Sequence, residues 1–129
     1  MIKIYTSYFS KIHTIVREKR NPCLINIAKF VPPPMLKHLH GSINEFKPTV
    51  NLLNKYKMGK VTEEEYKEIY LKDVEKNLID TNIIELLSRD EKVYSSVVLL
   101  CYEKSENFCH RHILRDYLNN LCNLGIEEY

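Results

Sequence analysis

The sequence predicts an α/β domain of three layers: a small, mainly parallel sheet flanked by helices. Three observations point there. Short strand-like runs occur at residues 2–6, 23–28 and 95–101. Helical periodicity fills the intervals between them, and strands joined by helical crossovers pair in parallel. The second and third runs are apolar on successive residues, as in strands covered on both faces.

The first run, Ile2-Lys3-Ile4-Tyr5-Thr6, alternates apolar with polar or aromatic residues, as a half-buried strand does. Residues 7–10 read as a loop. Ile12, Ile15 and Val16 then have the i, i+3, i+4 spacing of a short helix, which the charged stretch before Pro22 ends. The run Cys23-Leu24-Ile25-Asn26-Ile27-Ala28 is the second strand. Pro32-Pro33-Pro34 predicts extended, irregular chain, because proline fixes φ and lacks a backbone donor. Residues 35–47 show little periodicity and read as a long loop with one helical turn.

Pro48 at a first helical position opens a helix carrying Val50, Leu52, Leu53 and Tyr56, closed by Gly59. Thr62 and Glu65 form a capping-box signature before a helix to about Asn77, with an inner stripe of Tyr66, Ile69, Tyr70 and Val74. Asp80 is expected to cap a further helix with Ile83, Ile84, Leu86 and Leu87. The run at 95–101 is the most strand-like and is expected to be interior. Asn107 is expected to cap a last helix with Ile113, Leu114, Tyr117, Leu118, Leu121 and Cys122 inward and Gly125 at its end. Residues 126–129 read as a last short strand or a tail.

Composition narrows the class. The chain has 129 residues, so residues 1–129 are expected to form one domain. Nineteen basic and 17 acidic side chains leave a formal charge of +2, too balanced to imply nucleic-acid binding by itself. A hydrophobic content of 44% argues against disorder. The longest strictly apolar run, residues 97–102, is far short of the roughly 20 residues a membrane span needs. The opening residues lack a signal peptide's apolar core, so the expected location is cytoplasmic and no membrane partner is expected. Four cysteines, Cys23, Cys101, Cys109 and Cys122, with no C-x-x-C, suit a reducing compartment. No native disulfide is expected, although Cys101 and Cys109 are the pair that a loop reversal can bring together.

Ligands of a parallel sheet bind outside the carboxyl ends of its strands, which here selects three stretches, residues 5–8, 28–33 and 101–111. Residues 101–111 leave the interior strand and enter the last helix, with Glu103, Lys104, Cys109, His110 and Arg111 in nine residues. A helix N-terminus favours an anion or a thiolate. Structural readings stand beside the chemical ones. Cys101 is simply a small core residue, Cys109 a packing cysteine, His110 a hydrogen-bonded core histidine, and Glu103–Arg111 a loop-fixing ion pair. Glu103 is expected within hydrogen-bond or ion-pair reach of His110 or Arg111, because a buried carboxylate needs a paired cation.

Cys109 and Arg115 have the C-x5-R spacing of phosphatase loops, but the residues between them contain no glycine and read as helix. The chain also lacks G-x-x-x-x-G-K-[ST], G-x-G-x-x-G and G-x-S-x-G, so no cofactor is assigned.

Leu99-Leu100-Cys101-Tyr102-Glu103-Lys104 followed by Cys109-His110-Arg111 resembles the C-x-E-K…C-H-R signature of domain-of-unknown-function family 488, in its short bacterial and phage type. Ile4-Tyr5-Thr6-Ser7-Tyr8, Pro32-Pro33 and residues 62–70 fall in the same order as in that family. The resemblance implies a Rossmann-like layering and no particular activity. Many members carry Asp-Val-Arg after the second strand, where this chain has Asn26-Ile27-Ala28-Lys29. Lys29 replaces a positive charge there but not a bidentate fork.

The favoured functional expectation is a protein that binds or acts on a phosphate-bearing small molecule or nucleotide. Glu103, Cys109 and His110 are its candidate catalytic residues. Thr6, Ser7, Lys104 and Arg111 are the candidate anion-binding residues. One alternative is a nucleic-acid-associated protein using nine tyrosines and the basic residues Lys11, Arg17, Lys19 and Arg20. Another is a non-catalytic interaction module whose signature locks the last helix to the sheet. A metal site from Cys101, Cys109, His110 and His38 or His40 ranks last, and no metal ligand is assigned.

Overall fold

A computed structural model describes residues 2–129. Its sheet has five strands: β1 (Lys3–Tyr8), β2 (Pro22–Asn26), β3 (Gly41–Ser42), β4 (Ser96–Cys101) and β5 (Glu127–Glu128). They lie in the order β3-β2-β4-β1-β5, and every pairing is parallel. The expected α/β class and the interior placement of residues 97–101 are therefore both found. In β4 Val98 pairs with Tyr5 on one side and Leu24 on the other. Every residue of β4 and of β2 is buried. Burial of each Val or Leu in β4 is worth roughly 1.5–3 kcal/mol relative to exposure, so this strand is the spine of the core.

The helices are α1 (Ile12–Glu18), α2 (Val50–Lys57), α3 (Glu63–Asn77), α4 (Ile83–Leu87) and α5 (His110–Cys122). Strand order decides which face each covers. The β1-to-β2 connection, through α1, runs across the sheet in one direction. The β3-to-β4 and β4-to-β5 connections run in the other. Right-handed crossovers in opposite directions leave their helices on opposite faces. α1 is thus on one face and α2, α3 and α5 are on the other, where α3 packs on both α2 and α5.

Local chemistry sets most helix ends. Thr62 and Glu65 make both bonds of the capping box expected of them. Thr49 caps α2 through Leu52 N–H, so Pro48 stands one residue before the cap rather than inside the helix. Other expectations need correction. Residues 33–38 form a 3-10 turn, because prolines at its start withhold donors that would have no partner there. The expected loop at 35–47 also contains β3 and a further 3-10 turn, Asn44–Phe46. Asn82, not Asp80, caps α4 by accepting from Glu85 N–H. α5 starts at His110 with Cys109 as its N-cap. Asn107 instead closes a turn onto the Lys104 carbonyl. α5 ends on Asn123, whose left-handed φ of 52° stops the helix two residues before Gly125. Of the expected inner stripes, Ile69 and Leu121 point outward.

Candidate functional site

The carboxyl ends of β2 and β4 open onto a cavity of about 380 Å³. Ala28, Lys29, Phe30, Val31 and Pro32 form the wall that leaves β2. Cys101, Tyr102 and Glu103 leave β4, Cys109 and His110 start α5, and Pro48, Leu53 and Lys57 come from the α2 side. Two of the three stretches that the sheet rule selects, after β2 and after β4, therefore meet here.

His110 is buried, and three contacts hold it. Its Nε2 lies 2.8 Å from the Ile27 carbonyl oxygen. A carbonyl only accepts, so Nε2 carries the proton and Nδ1 keeps its lone pair. Nδ1 lies 3.8 Å from Cys109 Sγ. The Tyr70 ring meets the imidazole edge-on at 5.4 Å. Burial strips solvent from the cationic form and outweighs the Ile27 hydrogen bond, so the pKa of His110 is lowered to about 4. The Ile27 carbonyl is itself positioned by Asn26, whose side chain accepts from Ala28 N–H and donates to the Ala28 carbonyl.

Cys101 ends β4 and Cys109 precedes α5. The turn between them returns the chain so that their sulfurs meet in bonding contact, with Cα atoms 7.8 Å apart. This corrects the expectation that no disulfide forms: reversal of the chain after β4 brings Cys109 onto the strand end. Cys23 and Cys122 are free. Cys101 Sγ also accepts from Arg111 Nη1 at 2.9 Å. The Sγ atoms of Cys101 and Cys109 and a ring nitrogen of His110 lie within 4.8 Å of one another. His38 and His40 are elsewhere: His38 packs on His13, and His40 accepts from Leu24 N–H.

Arg111 is wholly buried. It reaches Glu128 through Nε and Nη2, with 2.8 Å between Nη2 and Oε2. Thr6 Oγ1 donates to Glu128 Oε1 at 2.6 Å, and Ser7 Oγ donates to the Tyr129 carbonyl at 3.2 Å. The anion that Thr6 and Arg111 hold is thus a carboxylate of the chain itself. Lys104 is exposed and lies outside the cavity lining. Glu103 does meet Arg111, but through its carbonyl oxygen, which accepts from Nη1. Its side chain is exposed. The expectation of a buried carboxylate is corrected on this point, because the reversal after β4 turns the main chain, not the side chain, toward the guanidinium.

Sequence reasoning selected the stretch that holds Phe30 without giving that residue a role, and it missed Lys57 as a cavity residue. Phe30 is 65% exposed, a large apolar side chain left in solvent beside the cavity. Its position after an apolar strand was the available signal. Lys57 carries none, because its helix is delivered to the cavity by tertiary packing. In the basic group proposed for nucleic acid, Lys11 and Lys19 lie over the Tyr129 ring and Lys19 also lies over Tyr5, at the β1–β5 side of the sheet.

The parallel sheet, the cavity outside its strand ends and the cysteine–histidine–arginine cluster define an α/β domain with a built site at the start of its last helix. Residues 12–121 match the family model DUF488-N3a, described as the active DUF488-N3 subclade. The chain belongs to that DUF488 family. No curated protein and no solved structure matches it. Among the described residues, no helix is long and apolar enough to cross a membrane.

Proposed function

We propose that the chain binds and acts on a phosphate-bearing small molecule of nucleotide type in the cavity between the ends of β2 and β4. The observation that supports this reading is the make-up of the cavity. Its walls are mostly apolar, Phe30 offers a ring for stacking, and Lys29 and Lys57 supply two cations. No carboxylate among the described residues forms an ion pair with either lysine. Two cations against a single carboxylate, Glu103, leave the recess with an excess of positive charge, which favours an anionic ligand. The sulfur and imidazole groups at the inner end are where the ligand's reacting part would stand. The description of the matched subclade as active supports an enzyme.

The test is calorimetric titration of the full chain with nucleoside monophosphates, the parent nucleosides and inorganic phosphate. A nucleoside monophosphate should bind, and Lys29→Ala with Lys57→Ala should weaken it by about tenfold or more, the equivalent of one lost charged contact. Absence of binding by every phosphate compound, or binding that ignores both lysines, overturns the reading. Single-stranded oligonucleotide binding that depends on Lys11, Arg17, Lys19 and Arg20 would overturn it in favour of the nucleic-acid alternative.

A further inference from the structure

We propose that Cys101, Cys109 and His110 of the reduced chain bind one divalent ion of the zinc class, with the fourth coordination position facing the cavity. The inference deepens the cavity reading above, and only the use of the fourth position rests on that reading.

Three donors converge on one point. The two sulfurs, in bonding contact with each other in the structure, and one imidazole nitrogen lie within 4.8 Å of one another, and all three residues are buried. Donors around one tetrahedral ion stand about 3.5–4 Å apart, given metal–ligand bonds near 2.0–2.3 Å; Cys109 Sγ and His110 Nδ1 already have that spacing at 3.8 Å, and the two sulfurs reach it by parting when their bond is reduced. The backbone is spaced for it as well. The Cα atoms of Cys101 and Cys109 are 7.8 Å apart, beyond the roughly 4.4–6.8 Å usual for a disulfide, so the sulfurs have room to part once their bond is reduced. An ion between the sulfurs occupies the added width.

The outer contacts are those a metal site needs. The Nε2–H of His110 is committed to the Ile27 carbonyl at 2.8 Å, which leaves Nδ1 as the ligating nitrogen and fixes the ring plane. The Asn26 side chain clamps both backbone groups of Ala28, next to that carbonyl. Arg111 Nη1 donates to Cys101 Sγ, as N–H donors do to metal-bound thiolate, and its own charge is balanced by Glu128. Two thiolates and one imidazole suit zinc over magnesium or calcium, which prefer oxygen donors. Cys101, Cys109 and His110 all line the cavity, so the remaining position opens to it. A dithiol reductant first supplies two electrons and two protons to open the Cys101–Cys109 bond and is itself oxidised to its disulfide; metal binding then displaces one proton from each thiol, with no further electron transferred.

The experiment uses the full chain, reduced and without organic ligand, titrated with Co²⁺ and then with Zn²⁺. One Co²⁺ per chain should give thiolate-to-cobalt charge-transfer absorption with tetrahedral visible bands, and Zn²⁺ should bleach both. Of the four thiols, Zn²⁺ should protect Cys101 and Cys109 from alkylation, mapped by mass spectrometry on the unmutated chain. Cys101→Ser, Cys109→Ser and His110→Asn should each weaken Co²⁺ binding by more than about tenfold. Cys23→Ser with Cys122→Ser should leave it unchanged, as should Lys29→Ala with Lys57→Ala. Absence of a charge-transfer band from the reduced chain, protection that maps to Cys23 or Cys122, or binding that survives loss of Cys101 and Cys109 overturns the proposal. Failure of the cavity reading alone would leave every one of these metal signals in place.

Discussion

Arg111 and Glu128 form a two-pronged ion pair that ties the first turn of α5 to the short edge strand β5. The guanidinium is wholly buried and the carboxylate is 18% exposed at its side chain. The remaining lone pairs of Glu128 are taken by Thr6 and Ser105 hydroxyls. The guanidinium nitrogen that Glu128 does not use holds Cys101 and the Glu103 carbonyl. One residue of the last helix thus joins the central strand, the loop after it and the end of the chain.

Glu128→Gln should destabilise the fold by on the order of 2–3 kcal/mol. It removes the charge while leaving Arg111 buried against neutral acceptors, and breaking a buried pair costs more than the pair's net worth. Thermal denaturation measures it, and an unchanged melting temperature would mean that the pair is not formed. The same pair has a pH signature. Burial alone raises the Glu128 pKa, but hydrogen bonds from Arg111, Ser105 and Thr6 outweigh it and the pKa is lowered. A carboxylate with a folded pKa below its unfolded value contributes stability above the unfolded pKa and loses it as pH falls through the folded one. The stability lost below about pH 4.3 should therefore be smaller in Glu128→Gln.

His110 should remain a neutral imidazole down to about pH 4. Its unfolded pKa is near 6.5, so between these values the unfolded chain binds the extra proton. Its contribution to stability is complete above pH 6.5 and falls away as pH drops toward 4. Two-dimensional NMR of the labelled imidazole checks the titration. A midpoint near 6.5 would show that the ring is solvated.

Tyr70→Phe should cost about 1–2 kcal/mol. The Tyr70 hydroxyl donates to the Phe46 carbonyl at 2.6 Å where both residues are fully buried, and the variant leaves that carbonyl without its donor. Chemical denaturation should show a lower midpoint with the slope unchanged.

Asn26→Ala should cost about 1–3 kcal/mol and loosen the His110 anchor. It strips Ala28 of partners for both its N–H and its carbonyl in a buried turn. Asn26→Asp should fall between wild type and alanine, since a carboxylate still accepts from Ala28 N–H but cannot donate to the carbonyl. Amide hydrogen exchange at Ala28 separates the two: protection kept in the aspartate variant and lost in the alanine variant.

Features that depend on neighbours in the chain can be read from the residues alone. The unbroken apolar run that becomes β4 is legible because an interior strand buries both faces, so each residue shows it. Thr62 and Glu65 are legible because a capping box closes within four residues. The cluster at 101–111 was legible as a group of chemical types, and its place at a strand end followed from the parallel sheet. Which residues meet across elements is set by the fold. Glu128 answers Arg111 from seventeen residues away, because β5 must first cross back to pair with β1. Cys109, rather than Asn107, stands at the N-cap position of α5, without a side-chain capping bond, because Asn107 is spent on the turn that brings the chain back. Lys57 reaches the cavity on a helix whose own periodicity marks it only as solvent-facing. Periodicity reports burial along a single element. Partners across elements depend on strand order and crossover hand, which no short window of sequence contains.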